Sequence, residues 1–93
     1  LISYASKSNV YLGYVALGCV IRGETSHYDY VCSESARALM NLSLEGVPLG
    51  YGILTCESLD QAIVRSSPDG LNKGKAACLA CIRMIEVFKV LDR

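Results

Sequence analysis

Two continuous apolar runs organise the chain. The residues from Val10 to Ile21 are almost all apolar, β-branched or aromatic, which is typical of a strand buried on both faces of a parallel sheet. The run from Val47 to Leu54 has the same character, and its proline lies near the first position, where a missing backbone N–H is tolerated. The pattern therefore predicts two buried strands.

Apolar residues at three- and four-residue spacing predict helices between and after these strands. The predicted helices run from Tyr28 to an end at Gly46, from a cap at Thr55 to about Ser66, and from Lys73 to about Leu91. The opening residues, LISYASKS, indicate part of one more helix. This alternation predicts an α/β fold layered around a mostly parallel sheet.

Composition narrows the kinds of protein. The 93 residues allow one domain, and 52 % hydrophobic residues are more than so small a domain usually hides alone, so an association surface is expected. Nine basic and nine acidic residues cancel, which argues against a nucleic-acid partner. Every apolar run is shorter than the roughly 18 residues of a membrane span. Five cysteines without a secretory signal favour a reduced, cytoplasmic protein.

The polar segment after the first predicted strand is a candidate anion site. Gly23–Ser26, which includes Glu24 and Thr25, would link the strand to a helix start, where free N–H groups and the helix dipole favour a phosphate. Alternatively, Thr25 or Ser26 acts only as a helix cap. His27, the only histidine, would lie in the first helical turn beside this segment. It is a candidate acid–base residue.

Three residues further along the chain are candidates for ligand binding. Tyr51 stands between two glycines, where it is either a core residue, the commoner case, or a stacking wall for a ring. Arg65 ends a helix, where a cation complements the dipole, whereas Lys73 opens one, where a cation is unfavourable. The unfavourable position suggests that Lys73 is present for another purpose, and both cations could bind a phosphate.

Two segments resemble a P-loop and a zinc-binding motif, but neither matches its motif. The segment Gly70–Ala76 has three residues between its glycines where a P-loop has four, and Ala76 stands where a magnesium-binding hydroxyl is needed. Cys78 and Cys81 form a single CxxC without a second pair or a suitably spaced histidine. No metal site is therefore predicted.

Four stretches together resemble one enzyme family. They are ALGCVIRGETSHYDYVC, GVPLGYGILT, QAIVRS and NKGKAA. Their core pattern, GxVIRGxTxHxDYV followed by a distant NKG, resembles the 6,7-dimethyl-8-ribityllumazine synthase family over essentially the whole chain. The resemblance implies a three-layer, flavodoxin-like sandwich with a mostly parallel sheet.

The resemblance also implies an activity without cofactor or metal. This is the condensation of 5-amino-6-ribitylamino-uracil with 3,4-dihydroxy-2-butanone 4-phosphate to 6,7-dimethyl-8-ribityllumazine, with release of phosphate, in riboflavin biosynthesis. It makes His27 the proton-transfer residue. The implied substrate-binding residues are Cys19, Val20 and Ile21 for the pyrimidine, the loop of Glu24 and Thr25 together with Arg65 for the phosphate, Tyr51 for ring stacking, and Lys73 in the same polar region.

The family further implies a homopentamer, in which Tyr51, Arg65 and Lys73 approach from the neighbouring subunit; assembly into a 60-mer shell stays open. Its amino-terminal strand and pyrimidine-binding motifs have no counterpart here, so 1–93 is expected to be a truncated single domain. One alternative is a catalytically weak ligand-binding or shell-forming protein on the same scaffold. Another is a flavodoxin-like monomer that holds a nucleotide phosphate at Gly23–Ser26.

Overall fold

Strands and helices alternate in the predicted order. The structure, a computed structural model, describes residues 1–92. The elements are α1 (Ile2–Ser6), β1 (Tyr14–Ile21), α2 (His27–Leu44), β2 (Leu49–Cys56), α3 (Leu59–Ser66) and α4 (Lys73–Leu91). The α/β prediction is confirmed. None of the described helices has both the length and the apolar character that crossing a membrane requires.

The strands β1 and β2 pair in parallel along their whole length. Tyr14 lies opposite Leu49, and Ile21 lies opposite Cys56. The first strand begins at Tyr14 rather than at the predicted Val10, because Tyr14 is the first residue with a partner on β2. The predicted parallel pairing is confirmed.

The prediction that β1 is buried on both faces is wrong for the described residues. The side chains of Leu17 and Ile21 are 65 % and 40 % exposed. The reason is that β2 pairs with one edge of β1, while no strand within residues 1–92 pairs with the other. The apolar composition of β1 therefore exceeds what these residues cover.

Helices cover both faces of the sheet. On one face α4 packs so closely that a Cβ at Gly50 would collide with the backbone carbonyl of Ala77. The next residue, Tyr51, points to the opposite face because side chains alternate along a strand. There it lines a cavity with Leu39 and Met40 of α2. Helix, sheet and helix form the three layers of the predicted sandwich.

The end of α2 follows its local signal. Gly46 has a φ of 88°, in the left-handed region that glycine adopts without strain. Its N–H donates to the carbonyl of Ser43 at 3.0 Å, and the N–H of Val47 donates to that of Leu42 at 3.2 Å. These two bonds form a Schellman motif. The prediction that Gly46 ends this helix is confirmed.

The start of α3 differs from its prediction. Thr55 does not cap the helix, because it still pairs with Val20 as part of β2. The cap is Ser58, whose hydroxyl accepts a hydrogen bond from the N–H of Gln61 at 3.3 Å. A capping residue was expected, but two hydroxyl residues lie within a few positions and only the strand register separates them.

The buried core is small. Within residues 1–92 the buried apolar side chains are Leu39, Cys56, Ala62, Ala77 and Cys81. Large apolar side chains remain exposed on every helix, for example Tyr4, Met40, Ile63 and Leu79. Exposed apolar surface of this extent is typical of proteins that bind other protein surfaces. It agrees with the expected association surface, while the oligomer itself stays a prediction.

Candidate functional site

The residues predicted for the site fall into two groups. The first, called here the strand-end group, lies where β1 runs into α2 and consists of Cys19, Val20, Ile21, Glu24, Thr25 and His27. Val20 is half-buried and the other five are exposed. The carboxyl end of a parallel strand is where ligands bind in open α/β sheets, so the position agrees with the prediction.

The start of α2 is only weakly capped by its own side chains. Ser26 occupies the N-cap position, and its hydroxyl makes no capping hydrogen bond. The Thr25 hydroxyl accepts from the N–H of His27 at 3.4 Å, a long contact. Neither residue therefore fully satisfies the helix start, which keeps its capacity to bind an anion.

The thiol of Cys19 is suited to packing rather than to nucleophilic chemistry. Desolvation, and next the neighbouring thiol of Cys56, raise the pKa of Cys19. A raised pKa disfavours the thiolate, which is the nucleophilic form of cysteine. This fits the apolar role that the resemblance implies for the strand end.

Arg22, which sequence reasoning did not select, makes several contacts next to the strand-end group. Its Nε donates to Oε2 of Glu57 at 2.6 Å, and its Nη1 lies 3.4 Å from Oδ1 of Asp29. The guanidinium also lies over the ring of Tyr28, 4.3 Å from its centroid. The signal was an arginine directly after an apolar strand. Its partner Glu57 is 35 residues away, so no local pattern could name it.

The second group, called here the groove group, consists of Tyr51, Arg65 and Lys73. All three line an open groove of about 490 Å³. Consecutive residues of β2, Ile53 and Leu54, also line it, and their side chains point to opposite faces. The groove therefore runs along the edge of β2 that faces away from β1.

Tyr51 is 45 % exposed. Of the two readings of this residue, burial in the core therefore does not hold within the described residues. An exposed ring with glycine on either side leaves one aromatic face open to a partner. That a substrate ring stacks there stays a prediction.

The groove carries two cations that have no counter-ion among the described residues. The ion pairs within residues 1–92 involve three other arginines and neither Arg65 nor Lys73. The half-buried Arg65 makes one long contact, from Nη1 to the carbonyl of Gln61 at 3.5 Å. Lys73 opens α4, as predicted, and is exposed. Two unpaired positive charges beside an aromatic ring suit an anionic, ring-bearing ligand or pair of ligands.

A tight turn fixes Lys73 at the groove. Asn72 has a left-handed φ of 47°, and its side-chain oxygen accepts a hydrogen bond from the first turn of α4 at 3.4 Å. The N–H of Leu71 donates to the carbonyl of Val64 at 2.8 Å, which folds the turn back onto α3. A Cβ at Gly70 would collide with that same carbonyl. Backbone contacts thus set the placement of Lys73.

The two groups are not brought into one cavity. The groove lining includes no residue of the strand-end group. Within residues 1–92, moreover, no set of three or more His, Cys, Asp and Glu side chains is grouped to hold a metal ion. The sequence-predicted residues are therefore assembled as two separate half-sites.

Two parallel strands with helices on both faces form an α/β sandwich. A helix starts after the end of β1, and a groove with two cations runs along β2. The sequence model of one family, 6,7-dimethyl-8-ribityllumazine synthase, matches residues 2–89. The chain belongs to the 6,7-dimethyl-8-ribityllumazine synthase family. The predicted resemblance is confirmed.

Curated relatives support the same assignment. The chain is 50 % identical over 91 residues to the 6,7-dimethyl-8-ribityllumazine synthase of Zymomonas mobilis, covering 98 % of this chain and 66 % of the relative. The enzyme of the same name from Methylorubrum extorquens is 54 % identical over 79 residues, which are 84 % of this chain and 46 % of the relative. That from Novosphingobium aromaticivorans is 48 % identical over 84 residues, 90 % and 60 % of the two chains. The chain thus spans about half to two thirds of the length of these relatives.

Proposed function

We propose that the protein is a lumazine synthase, which condenses 5-amino-6-ribitylamino-uracil with 3,4-dihydroxy-2-butanone 4-phosphate and releases water and phosphate. Relatives of about 50 % identity that are named for this enzyme support the proposal. The observation that carries it is the groove, which is lined by an exposed aromatic ring and by two cations that have no carboxylate partner within residues 1–92. A phosphorylated substrate and a heteroaromatic substrate call for this pair of features.

His27 is proposed to move protons. Imine formation from an amine and a ketone, elimination of phosphate and ring closure each transfer a proton, so the reaction needs a group that both accepts and donates. His27 is exposed at the start of α2, next to the loop that is proposed to hold the phosphate. From there its imidazole can serve the carbon atoms next to the phosphate ester.

The phosphate is proposed to lie between the start of α2 and the groove cations. The weakly capped helix start offers N–H donors near Thr25, and Arg65 and Lys73 offer full charges. Because phosphate is the leaving group, these charges stabilise it as the bond to carbon breaks. The same residues therefore bind the substrate and assist the elimination.

The pyrimidine is proposed to pack on the apolar end of β1, against Cys19, Val20 and Ile21, with Tyr51 on its other side. The side chains of Cys19 and Ile21 are exposed and lie on the same face of β1, where they form an apolar surface. A ring held between an aliphatic wall and an aromatic one is fixed in orientation, which places its amine for attack on the ketone.

A homopentamer is proposed to complete the site. One chain presents the strand-end group and the groove group apart, so both can contact a substrate when the strand end of one subunit meets the groove of the next. The extensive exposed apolar surface supports such contacts. We also propose a cytoplasmic location, since all five cysteines are free thiols.

The direct test is a fluorescence assay of the natural protein with both substrates, which follows the lumazine product above the uncatalysed background. Clear acceleration is expected. Binding of the pyrimidine without acceleration would contradict the proposal and favour the catalytically weak alternative.

Complementation between two variants tests whether each site is shared by two neighbouring subunits. His27→Gln and Arg65→Gln are each expected to be slow, because one lacks the proton-transfer group and the other a phosphate ligand. When the two variants are unfolded together and reassembled, about a quarter of the interfaces should join an intact strand end to an intact groove. Recovery towards a quarter of the natural rate supports the shared site, whereas no recovery would place both groups of each site on one chain.

A further inference from the structure

Arg22 links the helix that carries His27 to the rest of the site. From its contacts with Tyr28, Asp29 and Glu57 we infer that Arg22 is a positioning residue. It holds the first turn of α2, and with it His27, against the end of β2. The inference rests on the role of His27 in the proposed function. It adds to that function a residue that touches no substrate.

The guanidinium contacts the two residues that directly follow His27 in the sequence. It stacks over the ring of Tyr28 at 4.3 Å, and its Nη1 lies 3.4 Å from the carboxylate of Asp29. These residues belong to the first turn of α2, as His27 does. A shift of this turn would therefore break both contacts at once.

Arg22 is itself held in place by contacts with the sheet and with the start of α3. The backbone N–H of Arg22 donates to the carbonyl of Cys56 at 2.9 Å and so continues the pairing of the strands. Its Nε donates to Glu57 at 2.6 Å, and the N–H of Glu57 donates to the side chain of Gln61 at 2.8 Å. Arg22 thus joins α2 to a rigid base.

The charges around Arg22 argue against a role as a phosphate ligand. Two carboxylates, Asp29 and Glu57, surround its single positive charge, so the cluster carries a net negative charge. An incoming phosphate would have to displace them. Arg65 and Lys73 have no such partners within residues 1–92, and they remain the better anion ligands.

The contacts orient α2 more than they stabilise the fold. The side chains of Arg22, Asp29 and Glu57 are 39 %, 60 % and 59 % exposed, and exposed ion pairs contribute little to stability. Their geometry nevertheless depends on arginine. A planar, forked guanidinium can stack on a ring and grip two carboxylates, whereas a lysine ammonium cannot do all three.

The test uses Arg22→Gln and Arg22→Lys in the natural protein. Each variant is expected to lower kcat by about tenfold, because a displaced His27 transfers protons less efficiently. The KM for the ketose phosphate should change by less than about twofold, since no phosphate ligand is lost. The matched control is Arg37→Gln, which removes another exposed arginine pair of α2, with Glu34, away from the site. It should show the same thermal midpoint as Arg22→Gln and the natural kcat.

The double variant Arg22→Gln with His27→Gln separates positioning from other roles. If Arg22 acts through His27, the double variant is no slower than His27→Gln alone. Additive losses, a raised KM with natural kcat, or full rescue by lysine would each overturn the inference. If Arg22→Gln does not assemble, Asp29→Asn keeps the contact to Glu57 and should still lower kcat, by about threefold. A natural rate for that variant would also overturn it.

Failure of the proposed function gives a different result. If His27→Gln itself keeps the natural kcat, His27 is not the proton-transfer residue, and the inference about Arg22 falls with it. If His27→Gln is slow but Arg22→Gln is not, only the inference about Arg22 fails.

Discussion

The two half-sites treat their cations in opposite ways. At the end of β1 one arginine is held by two carboxylates, while along the edge of β2 two cations have no carboxylate partner within residues 1–92. A cation with its counter-ions in place is suited to fix a structure. A cation without them gains energy when an anionic substrate arrives. The charges therefore agree with the roles proposed above, orientation of His27 at the strand end and binding of an anion in the groove.

The two regions also differ in what holds them in shape. The strand end depends on side-chain contacts between residues far apart in sequence, such as Arg22 and Glu57. The groove depends on backbone contacts, namely the close approach of α4 to Gly50 and the left-handed turn at Asn72. Substitutions that disturb these backbone contacts should therefore affect stability, whereas loss of the Arg22 contacts should affect rate.

The largest expected effect is that of Gly50→Ala, which would break the groove. Its Cβ would collide with the backbone carbonyl of Ala77, so α4 must move away from β2. Overpacking against an unyielding backbone is expected to lower the free energy of unfolding by about 3 kcal/mol. In thermal unfolding, the Tm of Gly50→Ala should be lower than that of the natural protein by several degrees or more.

Gly74→Ala is the matched control for this prediction. Apart from its chain neighbours and the backbone of its own helix, no described atom lies within 4 Å of the Cβ that it would add at the start of α4. Alanine favours a helix over glycine, so stability should rise by about 0.5 kcal/mol. Equal stability of Gly50→Ala and the natural protein would show that the groove does not depend on close packing of α4 on β2.

The difference in construction explains how far the sequence could predict each region. The apolar periodicity predicted both strands and the long helices, because these patterns are local. It could not show that β1 has only one neighbouring strand within residues 1–92, since burial depends on contacts that periodicity does not contain. The exposed Leu17 and the misplaced cap at Thr55 follow from this limit.

The candidate site shows the same division. Motif and resemblance selected His27, Tyr51, Arg65 and Lys73, and the structure puts the last three in one groove. Arg22 lay inside the quoted motif, but its role depends on a partner from another part of the chain. Contacts between distant residues need the fold, so a single sequence gave no reason to select it.

A smaller effect is expected from neutralising a lysine at the start of α4, and it tests which cation of this helix belongs to the groove. Lys73 lines the groove and Lys75 does not, although both lie in the same helical turn. Lys73→Gln should raise the KM for the ketose phosphate about fivefold, because an unpaired charge for the phosphate is lost. Lys75→Gln should leave KM unchanged.

Stability provides the control for this pair. Both lysines oppose the helix dipole, so removal of either charge should stabilise the protein by about 0.5 kcal/mol. Steady-state kinetics and thermal unfolding would therefore give a loss of affinity with a gain of stability for Lys73→Gln, and the gain alone for Lys75→Gln. A natural KM for Lys73→Gln would remove that residue from the binding site.

The smallest effect is expected at the strand end, where the exposed Glu24 adds a negative charge to the loop that is proposed to hold the phosphate. Glu24→Gln removes a like charge and should lower the KM for the ketose phosphate about twofold at low ionic strength, with less change at high salt. Glu45→Gln, at the far end of α2, is the control and should show no change. A higher KM for Glu24→Gln would mean that its carboxylate accepts hydrogen bonds from substrate hydroxyls. The strand end would then bind substrate as well as orient His27, and the division between the two half-sites would be less complete than their charges indicate.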